Sequence, residues 1–96
     1  MQVIKNVELD GHRLLIDLHA DKISNGWYVS ECYARDMKTS TVVFRQLRGS
    51  IAHYIDRTLK EIIIETAKDA VKNIIDKTKD DEEIQELKNW DGLINS

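Results

Sequence analysis

The side chains that could do chemistry are few, and their spacing suits little of it. Soft metal ligands are limited to His12, His19 and His53 with the single cysteine, Cys32. A transition-metal site needs such groups to converge on one ion at about 2.0–2.3 Å. His12 and His19 lie seven positions apart in a stretch that alternates like a strand, so they project to opposite faces and cannot share an ion. No metal or other cofactor is expected.

Nucleophilic catalysis would need Cys32 or a serine beside a base, but there is no G-x-S-x-G elbow, and Cys32 reads as a small apolar residue in a strand. Glu61, Glu65 and Asp69 form an i, i+4, i+8 row of carboxylates, a spacing that suits a divalent cation or an acid/base pair. Arg57, Lys68 and Lys72 stand within one or two turns of that row, which makes a solvated charged face the better reading. Of the four glycines, no two are spaced as a phosphate-cradling loop requires. The chain therefore reads as non-enzymatic.

Two charged groups are candidate binding surfaces. Arg35, Lys38, Arg45 and Arg48 flank a pair of strands near Tyr28, Tyr33 and Phe44. Arginine forks beside exposed aromatic rings suit single-stranded nucleic acid or a nucleotide phosphate. The plainer reading has the same arginines guarding a sheet edge while the rings sit in the core. Asp80, Asp81, Glu82, Glu83 and Glu86 form an acidic run able to imitate phosphate toward a basic partner, or else simply the acidic start of a helix.

Composition sets the frame. The 96 residues suit one domain with a modest core, and 42% apolar with 32% charged side chains is a globular balance. The net charge of −3 divides into +1 over residues 1–50 and −4 over residues 51–96, which argues against a general nucleic-acid binder and leaves room for a local basic site. No apolar run approaches the roughly twenty residues that cross a bilayer. Charged residues in MQVIKNVELDGHR occupy the place of a signal peptide's apolar core, and one cysteine cannot form an internal disulfide. A cytoplasmic, non-membrane protein is expected.

The elements that position these groups follow from periodicity. Val3, Val7 and Leu9 alternate before Asp10-Gly11, a dipeptide suited to a two-residue hairpin turn, and Leu14, Ile16, Leu18 and Ala20 alternate after it. That loop length sets Val7 opposite Leu14, Val3 opposite Leu18 and Glu8 opposite Arg13. Residues 21–26 read as a polar connection. Residues 27–34 read as a third strand, with Trp27, Val29 and Tyr33 favoured inward over the rival row Tyr28, Cys32 and Ala34; residues 41–47 read as a fourth.

Ser50 stands where an N-cap is expected, opening a long helix over residues 50–78, and a short second helix is expected over 81–91. The fold class predicted is α+β, with a four-stranded antiparallel meander over 1–48 packed on the long helix and the short helix following. At about 1.5 Å per residue, that helix is longer than any strand beside it and must overhang the sheet. Its consecutive Ile62, Ile63 and Ile64 span more than one contact face. The row Ile63, Ile64, Ala67, Val71, Ile74 and Ile75 is expected to meet a second copy in a homodimer. The resulting expectation is a small oligomeric binding protein, an adaptor or inhibitor that acts by occupying a partner protein. The alternative is nucleic-acid or nucleotide-phosphate binding at the basic sheet surface.

Overall fold

The computed structural model describes residues 1–46 and 53–94. Within them the chain forms an antiparallel sheet with one long helix across one face: β1 (Gln2–Leu9), β2 (His12–Ile23), β3 (Gly26–Asp36), β4 (Thr41–Gln46), β5 (His53–Ile55) and α1 (Leu59–Asn89). Strands β1 to β4 are ordered as they occur in the chain, and β5 pairs with β3 on the same edge as β4.

The first hairpin is dictated locally. Asp10 and Gly11 have φ of 51° and 78°, the two positive values that a two-residue type I′ turn demands. The resulting register sets Val7 against Leu14, Val3 against Leu18 and Glu8 against Arg13, the pairing predicted from the turn. Leu14, Ile16, Leu18 and Ala20 then form a fully buried row on the inner face. Lys5 falls opposite Ile16 and so shares that face, yet it stays exposed because β1 is an edge strand. A charge pointing inward at an edge discourages pairing with another chain's strand.

On β3 neither predicted row is buried throughout. The ladder pairs His19 with Glu31 but Ala20 with Val29, so Ser30 is an extra residue, and its hydroxyl donates to the His19 carbonyl at 3.3 Å. Such a bulge reverses the alternation. Trp27 and Val29 face the core before it, and Cys32 and Ala34 face the core after it. Tyr33 belongs to the outer face. A second bulge leaves Val43 unpaired between Phe44, opposite Ala34, and Val42, opposite Arg35, so the adjacent Val43 and Phe44 both pack on the core. Asp21 to Ile23, expected to be loop, lengthen β2.

The helix differs from expectation at both ends. Leu47 to Ala52, including the expected N-cap Ser50, lie outside the described residues. His53 to Ile55 form β5 rather than helix, and Ile55 is exposed instead of forming part of an apolar helical stripe. β5 can approach because Gly26 has no side chain: a Cβ there would lie 1.9 Å from the Tyr54 carbonyl oxygen.

Asp56, with φ of 57°, turns the chain, and Thr58 caps α1. The Thr58 hydroxyl accepts from the Glu61 amide at 3.1 Å, while the Glu61 carboxylate accepts from the Thr58 amide at 3.4 Å. This capping box, T-x-x-E, is the start signal that the Ser50 assignment passed over. The predicted break near residue 80 is absent. With no Gly or Pro between Thr58 and Gly92, the two expected helices are one helix of 31 residues ending at the Trp90 C-cap.

Ile62, Thr66, Ala67, Ala70 and Val71 bury α1 against the sheet, the two alanines allowing close approach, with Leu59, Ile63 and Ile74 packed at the margins. Asn73 pins the last packed turn by donating to the Val43 carbonyl at 2.9 Å, an acceptor left available beside the second bulge. Beyond Ile74 the helix leaves the sheet. A rise of about 1.5 Å per residue makes α1 roughly 46 Å long, and the molecule extends 64 Å along its major axis.

Candidate interaction surfaces

Among the described residues the buried polar side chains are Asp36 and Thr66, and Asp36 Oδ1 accepts from the Lys38 amide at 2.9 Å. Thr66 donates to the Ile62 carbonyl at 2.9 Å, which leaves its oxygen to accept from the Cys32 thiol at 3.5 Å. Burial pushes the Cys32 pKa up; the Thr66 hydrogen bond opposes the shift and the Asp17 charge adds to it. The thiol is thereby kept protonated and away from solvent, the reverse of an activated nucleophile. Tyr54 is also shifted up, chiefly by burial, with its hydroxyl donating to Gln46 Oε1 at 3.0 Å.

The linkage has a definite sign. Above about pH 9 the unfolded thiol loses its proton while the folded one retains it, so stability present in full at lower pH falls as pH rises. The urea midpoint should decline as pH rises through about 9, and Cys32→Val should flatten part of that decline. A midpoint with the same pH dependence in both proteins would contradict this account.

The histidines are dispersed. His19 Nε2 lies 3.3 Å from Asp17 Oδ1 on the outer sheet face, and His53 packs its ring on Tyr28 at 5.1 Å. Among the described residues no group of three or more His, Cys, Asp or Glu side chains could hold a metal ion. In the carboxylate row, Glu65 pairs with Arg57 and Glu61 belongs to the capping box, so two of its three members have structural partners.

The outer sheet face brings part of the basic set together. Arg35, opposite Leu15 and Val42, and Arg45, opposite Tyr33, both point away from α1. Arg35 Nη1 donates to the Ser40 carbonyl at 2.9 Å, and the Arg45 guanidinium lies 5.2 Å from the centre of the Tyr33 ring. Lys38 sits apart in the β3–β4 turn, and Arg48 lies outside the described residues. Carboxylates share this face: Asp17 is opposite Tyr33, and Tyr33 donates to Glu31 Oε2 at 3.4 Å. Phe44 packs on the core, so of the three aromatic residues near the basic set it is unavailable for stacking.

Along α1 the apolar row predicted to meet a second copy is split. Ala67 and Val71 are buried under the chain's own sheet, Ile63 and Ile74 pack on that core, and only Ile64 and Ile75 are exposed, at 41% and 42%. The larger exposed apolar group lies further along. Ile84, Leu87 and Trp90 are 50%, 65% and 51% exposed, and Leu93 and Ile94 follow them, also exposed. Ile84, Leu87 and Trp90 line an open concavity together with Glu83, Glu86 and Asn89. The Trp90 indole donates to the Leu93 carbonyl at 3.3 Å, which turns the following residues back on the helix end.

The continuity of the helix changes the standing of the acidic run. Asp80, Asp81, Glu82, Glu83 and Glu86 lie in the C-terminal third of α1, more than twenty positions beyond its N-cap, so the favourable field of a helix N-terminus does not reach them. All are exposed. No helix among the described residues is long and apolar enough to cross a membrane. Compared with known proteins, the chain matches no family, no curated protein and no solved structure.

Proposed function

We propose that this is a non-enzymatic binding protein, an adaptor or inhibitor, in which the sheet is an anchor and the projecting half of α1 is the element that occupies a partner macromolecule. One observation carries the reading: from Ile75 onward every described residue is exposed, among them Ile84, Leu87 and Trp90 amid crowded carboxylates. Neither feature favours a free helix. Exposed apolar side chains lose the gain of burial, and like charges at i, i+4, as at Glu82 and Glu86, repel. Both terms turn favourable when a second surface covers the helix. An amphipathic helix laid into a groove is a recurrent mode of recognition.

The decisive comparison is between the wild-type chain and Ile84→Asp/Leu87→Asp, immobilised and exposed to cell extract at moderate salt. The variant should retain the fold, because neither side chain touches the core, and should lose the protein that the wild type retains. Equal retention by both removes this reading. The alternative, phosphate binding through Arg35 and Arg45, has weaker support because Asp17 and Glu31 stand on the same face. Fluorescence anisotropy with single-stranded oligonucleotides separates the two, since phosphate contacts weaken steeply with salt.

A further inference from the structure

We infer that the projecting half of α1 is covered by the helix of a second copy of this chain, the two helices running antiparallel. This names the occupant of the element described above and rests on that reading.

The first argument is the distribution of charge along one continuous helix. Residues 68–79 carry Lys68, Lys72, Lys77 and Lys79 against Asp69 and Asp76, a net +2, whereas residues 80–89 carry five acidic side chains against Lys88, a net −4. Two such helices side by side in parallel set −4 against −4. Antiparallel, each acidic end lies along the other's basic middle. A two-fold axis at residues 79–80 places Lys79 at the height of Asp80 of the second copy, and Lys72 at the height of Leu87, beside Glu86 and one turn from Glu83. The pattern is self-complementary, as an isologous interface requires.

The second argument is area. A compact monomer of 11.1 kDa exposes about 5,700 Å², whereas this chain exposes 7171 Å². The excess, roughly 1,500 Å², exceeds the approximately 800 Å² that each partner hides in a standard interface. The third is direction. Counted at 100° per residue, Lys68, Lys72, Lys79, Glu83, Glu86 and Trp90 share the side of α1 turned away from the sheet-facing Ile62, Thr66 and Ala70, so a second helix can lie along it without meeting the sheet.

The test is sedimentation equilibrium of the full chain from about 10 μM to about 500 μM, with charge-reversed variants. The wild type should be a dimer whose dissociation constant rises with salt. Lys72→Glu/Lys79→Glu and Glu83→Lys/Glu86→Lys should each self-associate roughly tenfold more weakly, since each sets like charges together, and an equimolar mixture of the two should recover the wild-type affinity. Every substituted side chain is solvent-exposed, and circular dichroism checks that the fold is retained.

A wild type that is monomeric throughout overturns the self-pairing while leaving partner capture by the helix to its own test. A dimer indifferent to both reversals, or one that the mixture fails to restore, overturns the antiparallel arrangement. Conversely, a dimer that passes this test beside equal partner retention by wild type and Ile84→Asp/Leu87→Asp would leave the self-pairing standing and remove the partner reading.

Discussion

Leu18→Ala should cost about 3–4 kcal/mol, the middle to upper range for a large aliphatic side chain removed from a closed core. Leu18 is fully buried in the middle of β2, paired with Val3 on one side and Cys32 on the other, beneath a helix held close by Ala67 and Ala70. Two features keep the site from collapsing around the void. The hairpin register that places Leu18 is set by the Asp10-Gly11 turn, and the helix above is tied to the sheet by the Asn73 hydrogen bond to Val43.

A domain of this size is stabilised by roughly 5–14 kcal/mol in total, so the substitution should remove a large share and lower the urea midpoint without changing its slope. The exposed Ile4→Ala on the opposite face is the control and should shift the midpoint by less than about 0.5 kcal/mol. Equal effects at the two positions would place the core on the wrong face of the sheet.

Gly26→Ala should destabilise by about 2–3 kcal/mol, although it adds only one methyl group. The clash is with main chain. The new Cβ would lie 1.9 Å from the Tyr54 carbonyl oxygen and 2.8 Å from its carbon, and backbone cannot rotate aside as a side-chain tip can. Relief requires β5 to move off β3, which breaks the pairing of Gly26 with Ile55 and Trp27 with Tyr54 and loosens the 2.6 Å hydrogen bond from the Asp56 amide to the Asn25 carbonyl. Amide hydrogen exchange should therefore accelerate over residues 26–28 and 53–56 while β1 and the β1-facing half of β2 keep their protection. Protection unchanged at β5 would refute the account. Gly11, where φ is positive and nothing crowds the missing side chain, is the contrasting case, with a conformational cost and no clash.

The two candidate surfaces were legible to different degrees. Arg35 and Arg45 are placed by strand alternation, so their common outer face could be read once the third and fourth strands were paired. The carboxylates that share it, Asp17 and Glu31, come from strands whose relative registers depend on the Ser30 bulge. The acidic run was visible as composition, but its natural explanation, a helix start, was wrong. Carboxylates after Lys79 suit the start of a helix, but no Gly or Pro interrupts α1 there, so those residues are its own last turns.

Local chemistry alone determined the first hairpin, the inward row from Leu14 to Ala20, the α+β class and the overhang of a helix longer than the strands. Each follows from interactions between near neighbours: a turn that admits two positive φ values, a period of two, and a fixed rise per residue. Tertiary structure alone decided which residues of β3 face the core, that His53 to Ile55 pair as a strand, and that Ala67 and Val71 are covered by the chain's own sheet. Those outcomes depend on bulges and on a backbone approach at Gly26, where the competing local choices are nearly equal in energy and contact with a distant segment selects between them.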